Sequence, residues 1–262
     1  MSRHALVVLL ALTGCLPGRV PFPLPVGVCA PADAALAGPM LADAEAAFAK
    51  RPDAQEVRDA FRLFQSAAAA APSCVEGTLG VVRTAAWLLE HGAHKDDRRP
   101  LADQAVAAGD QCQQRAPETA QCDYWRAVSL GLWAREHSFS FSARGELKTI
   151  IRLLRSADDS TPAFDDAGPA RVLALLLVRA PGWPAGPGNA DEALVEAKKA
   201  VAQAPANPLN HLVLAECLAA TGETDAAKSE YEKAAELGRA RADADGADWA
   251  AQADTALQKL AQ

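Results

Sequence analysis

The sequence predicts an all-α protein: a tandem row of about five helical hairpins closed by a C-terminal helix. Three observations carry this. Alanine-rich segments with apolar residues at helical spacing fill most of the 262 residues, half of which are hydrophobic, and β-branched or aromatic runs of strand length are scarce. Turn signals at Arg51-Pro52-Asp53, Pro117, Pro162, Pro205 and Gly222 separate the helical segments. The second helices of several hairpins also repeat one pattern. Ala60, Phe64, Ala67 and Pro72 stand at the same offsets as Ala193, Ala197, Ala200 and Pro205, and Ala227, Tyr231 and Ala234 follow them. Recurrence at fixed offsets is the mark of units that cannot bury their apolar faces alone and so stack on their neighbours.

The chain opens with a targeting signal over residues 1–14. Arg3 gives it a positive start, Ala5–Leu12 is a short apolar run, and Leu12-Thr13-Gly14-Cys15 ends it. The run is too short to span a bilayer as a helix. Residues 15–38 are expected to be a tether, with Pro17, Pro21, Pro23 and Pro25 keeping its first part extended. At about 3.1 Å per residue, Leu16–Ala30 would reach roughly 45 Å.

Residues 39–262 form the predicted repeat domain. Met40–Lys50 and Glu56–Ala71 make the first hairpin; Cys74–Glu90 and Pro100–Arg115, split by the polar insertion His91–Arg99, make the second. Cys122–Glu136 and Glu146–Ser156 form the third, with a loop at Ser138–Gly145 and a turn at Asp158–Asp166. Pro169–Val178 and Ala190–Ala204 form the fourth, around a Pro/Gly/Trp-rich insertion at Ala180–Asn189. The fifth, Pro208–Leu237, is the most regular. Leu212, Leu214, Ala215 and Leu218 face Ala227, Tyr231, Ala234 and Leu237 across Thr221-Gly222-Glu223, where Gly222 suits a left-handed turn and Asp225 is placed to cap the second helix. Asp248–Ala261 closes the row.

This last hairpin resembles the tetratricopeptide repeat. Leu214-Ala215 stands at the family's Leu-Gly position, Gly222 is the turn glycine, and Ala227, Tyr231 and Ala234 match its small, aromatic and small positions; Arg239 replaces the closing proline. Leu12-Thr13-Gly14-Cys15 resembles the bacterial lipobox, which implies that Cys15 is acylated and becomes the mature N-terminus. One acyl chain holds a protein marginally and several hold it stably. With Leu16 rather than aspartate after the cysteine, the resemblance implies an outer-membrane lipoprotein facing the periplasm.

A narrower resemblance covers residues 40–240. Tyr124-Trp125-Arg126-Ala127 and Gly131-Leu132-Trp133-Ala134 are similar to the aromatic helix of the periplasmic T-component of TRAP transporters. Asp159-Ser160-Thr161-Pro162-Ala163-Phe164, Gly168-Pro169-Ala170-Arg171, the Pro181–Gly188 loop and Asp191-Glu192-Ala193-Leu194 follow in the family's order, though Val172-Leu173 stands where a glycine usually follows the arginine. The resemblance implies a lipid-anchored repeat protein that trimerises around a channel and works with a periplasmic substrate-binding protein in uptake of apolar or organic-acid ligands. The alternative is a tetratricopeptide adaptor in envelope or outer-membrane assembly, binding a peptide along its concave face.

Five cysteines remain beyond Cys15. In an oxidising compartment they suggest two bridges and a spare thiol. Cys112 and Cys122 flank the Pro117 turn, and closing that loop is worth about 3 kcal/mol. Cys29 with Cys74 would pin the start of the domain, and Cys217, among apolar neighbours, reads as a core residue.

The candidate ligand or partner contacts are Tyr124, Trp125, Trp133 and Trp183. Core packing is the plainer role for at least two of the α-helical three. Trp183, between Pro181 and Pro184, would lose little entropy on binding. His91, His94, Asp96 and Asp97 lie in a polar insertion with no apolar frame, and no metal or other cofactor is expected. Asp158-Asp159 and Asp165-Asp166 read as helix caps rather than acid/base groups. Ser138–Ser142 has no Gly-x-Ser-x-Gly elbow, so an enzyme is not expected. A net charge of −7 and no basic patch interleaved with aromatics argue against nucleic acid.

Overall fold

The computed structural model describes residues 29–117, 119–137 and 141–260. The predicted signal, Cys15 and the tether up to residue 28 lie outside the described residues. Within them the chain forms eleven helices: α1 (Pro31–Phe48), α2 (Ala54–Ala70), α3 (Glu76–His91), α4 (Arg98–Arg115), α5 (Ala120–Glu136), α6 (Phe141–Ser160), α7 (Gly168–Arg179), α8 (Ala190–Gln203), α9 (Pro208–Ala220), α10 (Thr224–Ala240) and α11 (Ala244–Leu260). No strand occurs among the described residues; a lone bridge joins Gly182 to Gly188. None of these helices is long and apolar enough to cross a membrane.

Local chemistry sets the helix ends. Asp53 caps α2 by accepting from the backbone N–H groups of Gln55 at 2.8 Å and Glu56 at 3.2 Å. Asn189 and Asn207 cap α8 and α9 in the same way, and Pro208 begins α9 where its missing N–H costs nothing. Gly222 turns the last hairpin at a φ of +83°, a left-handed conformation that glycine adopts without a Cβ clash. Asp225 does not cap α10. Glu223 holds the cap position, and Asp225 lies in the first turn, where a carboxylate meets the positive end of the helix.

The first and sixth helices depart most from the sequence reading, and α11 begins at Ala244 rather than Asp248. The first helix begins at Pro31, inside the expected tether. Pro39 removes an N–H from its interior. Contacts with α2 and its following turn outweigh that loss. The Ala30 N–H donates to Ser73 Oγ at 2.9 Å, Asp33 accepts from Ser73 N at 3.0 Å and Oγ at 2.6 Å, and Ala37 is buried against Ala67 and Ala71. In the third hairpin, α6 starts at Phe141 and runs through Asp158 and Asp159 to Ser160. Residues 138–140 of the expected loop lie outside the described residues.

Each helix packs on the next, and the odd-numbered helices also touch one another in sequence from α1 to α11. Among the described residues no even-numbered helix touches another. A row of hairpins joined like this curves, with the odd helices on its inner face. Small residues set the closeness of the layers. A Cβ on Gly80 would stand 2.1 Å from the Phe64 ring, so α2 and α3 meet at a distance that only glycine allows. Three apolar clusters run along the row. One spans α1–α5, a second α5–α10, and a third α9–α11. Trp125 and Val128 of α5 pack against both of the first two, so the core is continuous through the third hairpin.

Candidate partner-binding surface

The three aromatic candidates on α5 are built into the packing. Tyr124 is 3% exposed, lies edge-on to Trp125 and Phe164, and donates its hydroxyl to Asp165 Oδ2 at 2.6 Å. Burial, with the Asp165 carboxylate beside it, holds its phenol above the ordinary range. Trp125 is half-buried between the first two clusters. Trp133 stacks on His137 and donates from Nε1 to Asp103 Oδ1 at 2.8 Å. Their side chains hold helices together.

Trp183 is placed differently. It is 89% exposed at the tip of the 180–189 insertion. The insertion is pinned by its own backbone: Gly188 N donates to Pro181 O at 2.8 Å, Gly186 N to Gly182 O at 3.1 Å, and Asn189 N to Leu177 O at 3.0 Å. Side chains are excluded where the loop folds on itself, since a Cβ on Gly188 would lie 2.1 Å from Ala180 O. The composition of this stretch therefore serves to present one indole from a fixed loop.

The cysteines fall into two pairs and a single thiol. Cys29 and Cys74 are bonded with Cα atoms 4.4 Å apart, and Cys112 and Cys122 with Cα atoms 5.3 Å apart. Both bridges tie hairpin junctions: the start of α1 to the α2–α3 turn, and the end of α4 to the start of α5. Cys217 is free and fully buried, and burial pushes its thiol up to about 12.

The carboxylates read as caps do other work. Asp158 sits within α6 and pairs with Lys199 of α8. Asp165 and Asp166 open a turn in which three successive residues, Asp165, Asp166 and Ala167, have φ between 51° and 64°. Arg171 holds this turn, donating to Asp165 Oδ2 at 2.7 Å and to the carbonyls of Asp165 and Asp166. Asn210, fully buried on α9, accepts from Arg171 at 3.0 Å and donates to the carbonyls of Asp166, Ala200 and Ala204. Its signal was legible: an amide inside the apolar run from Pro208 to Leu218 must find partners when buried. His91 does not gather with His94, Asp96 and Asp97; its Nε2 lies 3.2 Å from Asp248 on α11.

The inner face is polar at the C-terminal ends of its helices. Glu90 on α3 pairs with Arg135 on α5, and Arg179 on α7 grips Glu216 on α9 through two bonds of 2.7 Å. Nothing in their local spacing marked these pairs, because each joins hairpins nearly forty residues or more apart in sequence.

Comparison with known proteins agrees with the architecture. The tetratricopeptide-repeat family profile matches residues 186–259. A thermophilic TPR protein of Thermus thermophilus is similar over 83% of this chain and 98% of its own, at 21% identity and a TM-score of 0.62. Yeast Tom70 is similar over 87% of this chain and 40% of its own, at 18% identity and a TM-score of 0.53. A sequence comparison with curated proteins finds no match. The fold is a tetratricopeptide-like helical-hairpin solenoid.

Proposed function

We propose that this protein is a non-catalytic scaffold that binds a protein partner, with Trp183 as an anchor and the inner face as the accompanying surface. The observation that carries the reading is the 89% exposure of Trp183 on a loop closed by its own hydrogen bonds. An indole held ready in this way loses little freedom on binding and offers a large apolar surface, which is why tryptophan is enriched at the energetic centres of interfaces. The carboxylates that could serve acid/base chemistry, Asp158 and Asp165, are engaged by Lys199, Arg171 and Tyr124, which favours the non-catalytic reading.

The finer reading is a periplasm-facing lipoprotein held by Cys15 to the outer membrane, similar to the TRAP transporter T-component, with a periplasmic substrate-binding protein as partner and a trimer as the working form. Its support is the Tyr124–Trp133 motif, the Asp159–Arg171 turn and the Pro181–Gly188 loop in the family's order. Two disulfides are consistent with an oxidising compartment. The adaptor reading rests on the fold alone. The test is capture by crosslinking in cells, comparing the parent with Trp183→Ala at equal abundance and helicity. The expected result is a partner lost in the variant. A solute receptor as that partner supports the transport reading, and an assembly factor supports the adaptor. Equal capture by both chains would overturn the role of Trp183.

A further inference from the structure

The two ends of the row meet. Arg51, in the turn of the first hairpin, donates from Nε to Asp245 Oδ1 at 3.0 Å and from Nη2 to Oδ2 at 2.8 Å, across 194 residues of sequence. His91, at the end of α3, faces Asp248 across 157 residues. Both carboxylates stand in the first turns of the closing helix α11. Both partners of these carboxylates are held by their own hairpins. Arg51 lies 3.9 Å over the Phe48 ring and donates to Phe48 O at 2.8 Å, and His91 stacks on Trp87 with Nδ1 3.0 Å from Trp87 O. A planar guanidinium fork set bidentate on a carboxylate is the most geometrically demanding of ion pairs. The Arg51 and Asp245 side chains are 18% and 25% exposed, so this pair is partly shielded from solvent.

Among the described residues no helix of the first two hairpins packs against α11, whose helical neighbours are α9 and α10. Side chains, rather than a shared core, therefore join the ends. We infer that Arg51–Asp245 and His91–Asp248 form a clasp that closes the solenoid into a ring, and that releasing it lets the first hairpin and α11 move apart. The consequence for access to the inner face rests on the function proposed above; the clasp itself does not.

The test measures the ring without any partner. Spin labels placed at Gln55→Cys and Ala251→Cys, both exposed, report the distance between the first hairpin and α11. The parent gives one narrow distribution. Asp245→Asn with Asp248→Asn, which keeps shape and removes charge, shifts the maximum to longer distance and broadens it while helicity is unchanged. Raising salt from 0.1 to 1 M, which shortens the screening length from about 10 to about 3 Å, moves the parent in the same direction. Exchanging the charges, Arg51→Asp with Asp245→Arg, narrows the distribution again. A distribution identical in parent and asparagine variants, or one already broad in the parent, overturns the clasp. Either outcome leaves the Trp183 capture experiment standing on its own result.

Discussion

Arg171 Nη1 donates to Asn210 Oδ1 at 3.0 Å, a buried bond that joins the first helix of the fourth hairpin to that of the fifth. Both side chains are almost without solvent contact, at 6% and 0% exposure, yet both terminal nitrogens of Arg171 and both amide atoms of Asn210 are hydrogen-bonded. Together they hold the turn in which three successive non-glycine residues, Asp165, Asp166 and Ala167, adopt left-handed backbone. Such a turn is held only when its surroundings over-determine it.

Removing either partner should therefore cost more than one hydrogen bond. Arg171→Ala leaves the Asp165 carbonyl and the Asn210 amide oxygen unpaired and takes one of two donors from the Asp166 carbonyl, and a loss of about 3 kcal/mol is expected. Asn210→Ala removes the amide donor shared by the Asp166, Ala200 and Ala204 carbonyls, each of which keeps one other donor, and takes the amide acceptor from Arg171 Nη1, so a cost of about 2 kcal/mol is expected. Urea unfolding of the two variants and the double variant checks this. The double should lose less than the sum, because the two act through one network.

Two glycines on inner helices should respond in opposite directions. Gly80→Ala drives a methyl into the Phe64 ring and is expected to cost about 2 kcal/mol through overpacking. Gly131, within α5, has nothing within 4 Å of its would-be Cβ, so Gly131→Ala should gain about 0.5–1 kcal/mol by narrowing the unfolded ensemble. Thermal melts of both variants measure the contrast.

Thiol chemistry should separate the five described cysteines. Native protein at pH 8 is expected to show no rapid reaction with a disulfide reagent, because Cys217 is buried and its thiol is pushed up to about 12. Denatured but unreduced protein should release one thiol from Cys29–Gln262. Two or more would reject the pairings. Reducing Cys112–Cys122 should lower stability by about 3 kcal/mol.

Two glutamates should show opposite pH dependence. The Arg98 guanidinium, bonded to both oxygens of Glu136, holds that carboxyl below its ordinary range. Its contribution is present above the unfolded value of about 4.3 and is lost as pH falls through the folded value. Glu136→Gln should cost about 2 kcal/mol at pH 7 and progressively less below pH 4. Burial raises Glu196, whose Oε2 has no hydrogen-bond partner. Its folded state favours the protonated form, so the contribution is complete below the unfolded value and lost as pH rises through the folded one. Glu196→Gln should raise the melting temperature at pH 7, with the gain shrinking toward pH 4.

Much of the hairpin architecture was legible because its signals are local. Ala227, Tyr231 and Ala234 recur at the spacing of one helix face, Gly222 marks a left-handed turn, and Asp53, Asn189 and Asn207 stand where caps are needed. Helix period, turn chemistry and capping act over four or five residues, so a linear reading recovers them. The exposure of Trp183 was legible for the same reason, since Pro181, Gly182 and Pro184 exclude a helix around it.

The tertiary structure decided what distance in sequence hides. Pro17, Pro21, Pro23 and Pro25 suggested a tether reaching residue 38, but contacts with Ser73 and Ala71, from the turn after α2, extend the first helix back to Pro31. Asp158 and Asp165 carried the marks of caps, yet Lys199, Arg171 and Tyr124 claimed them. Arg51 and Asp245 meet only because the small rotations between all the intervening hairpins add up to bring first and last together. The residues dictate each hairpin by short-range sterics and hydrogen bonding. Closure is a sum over every packed interface between them, and no single stretch of sequence contains that sum.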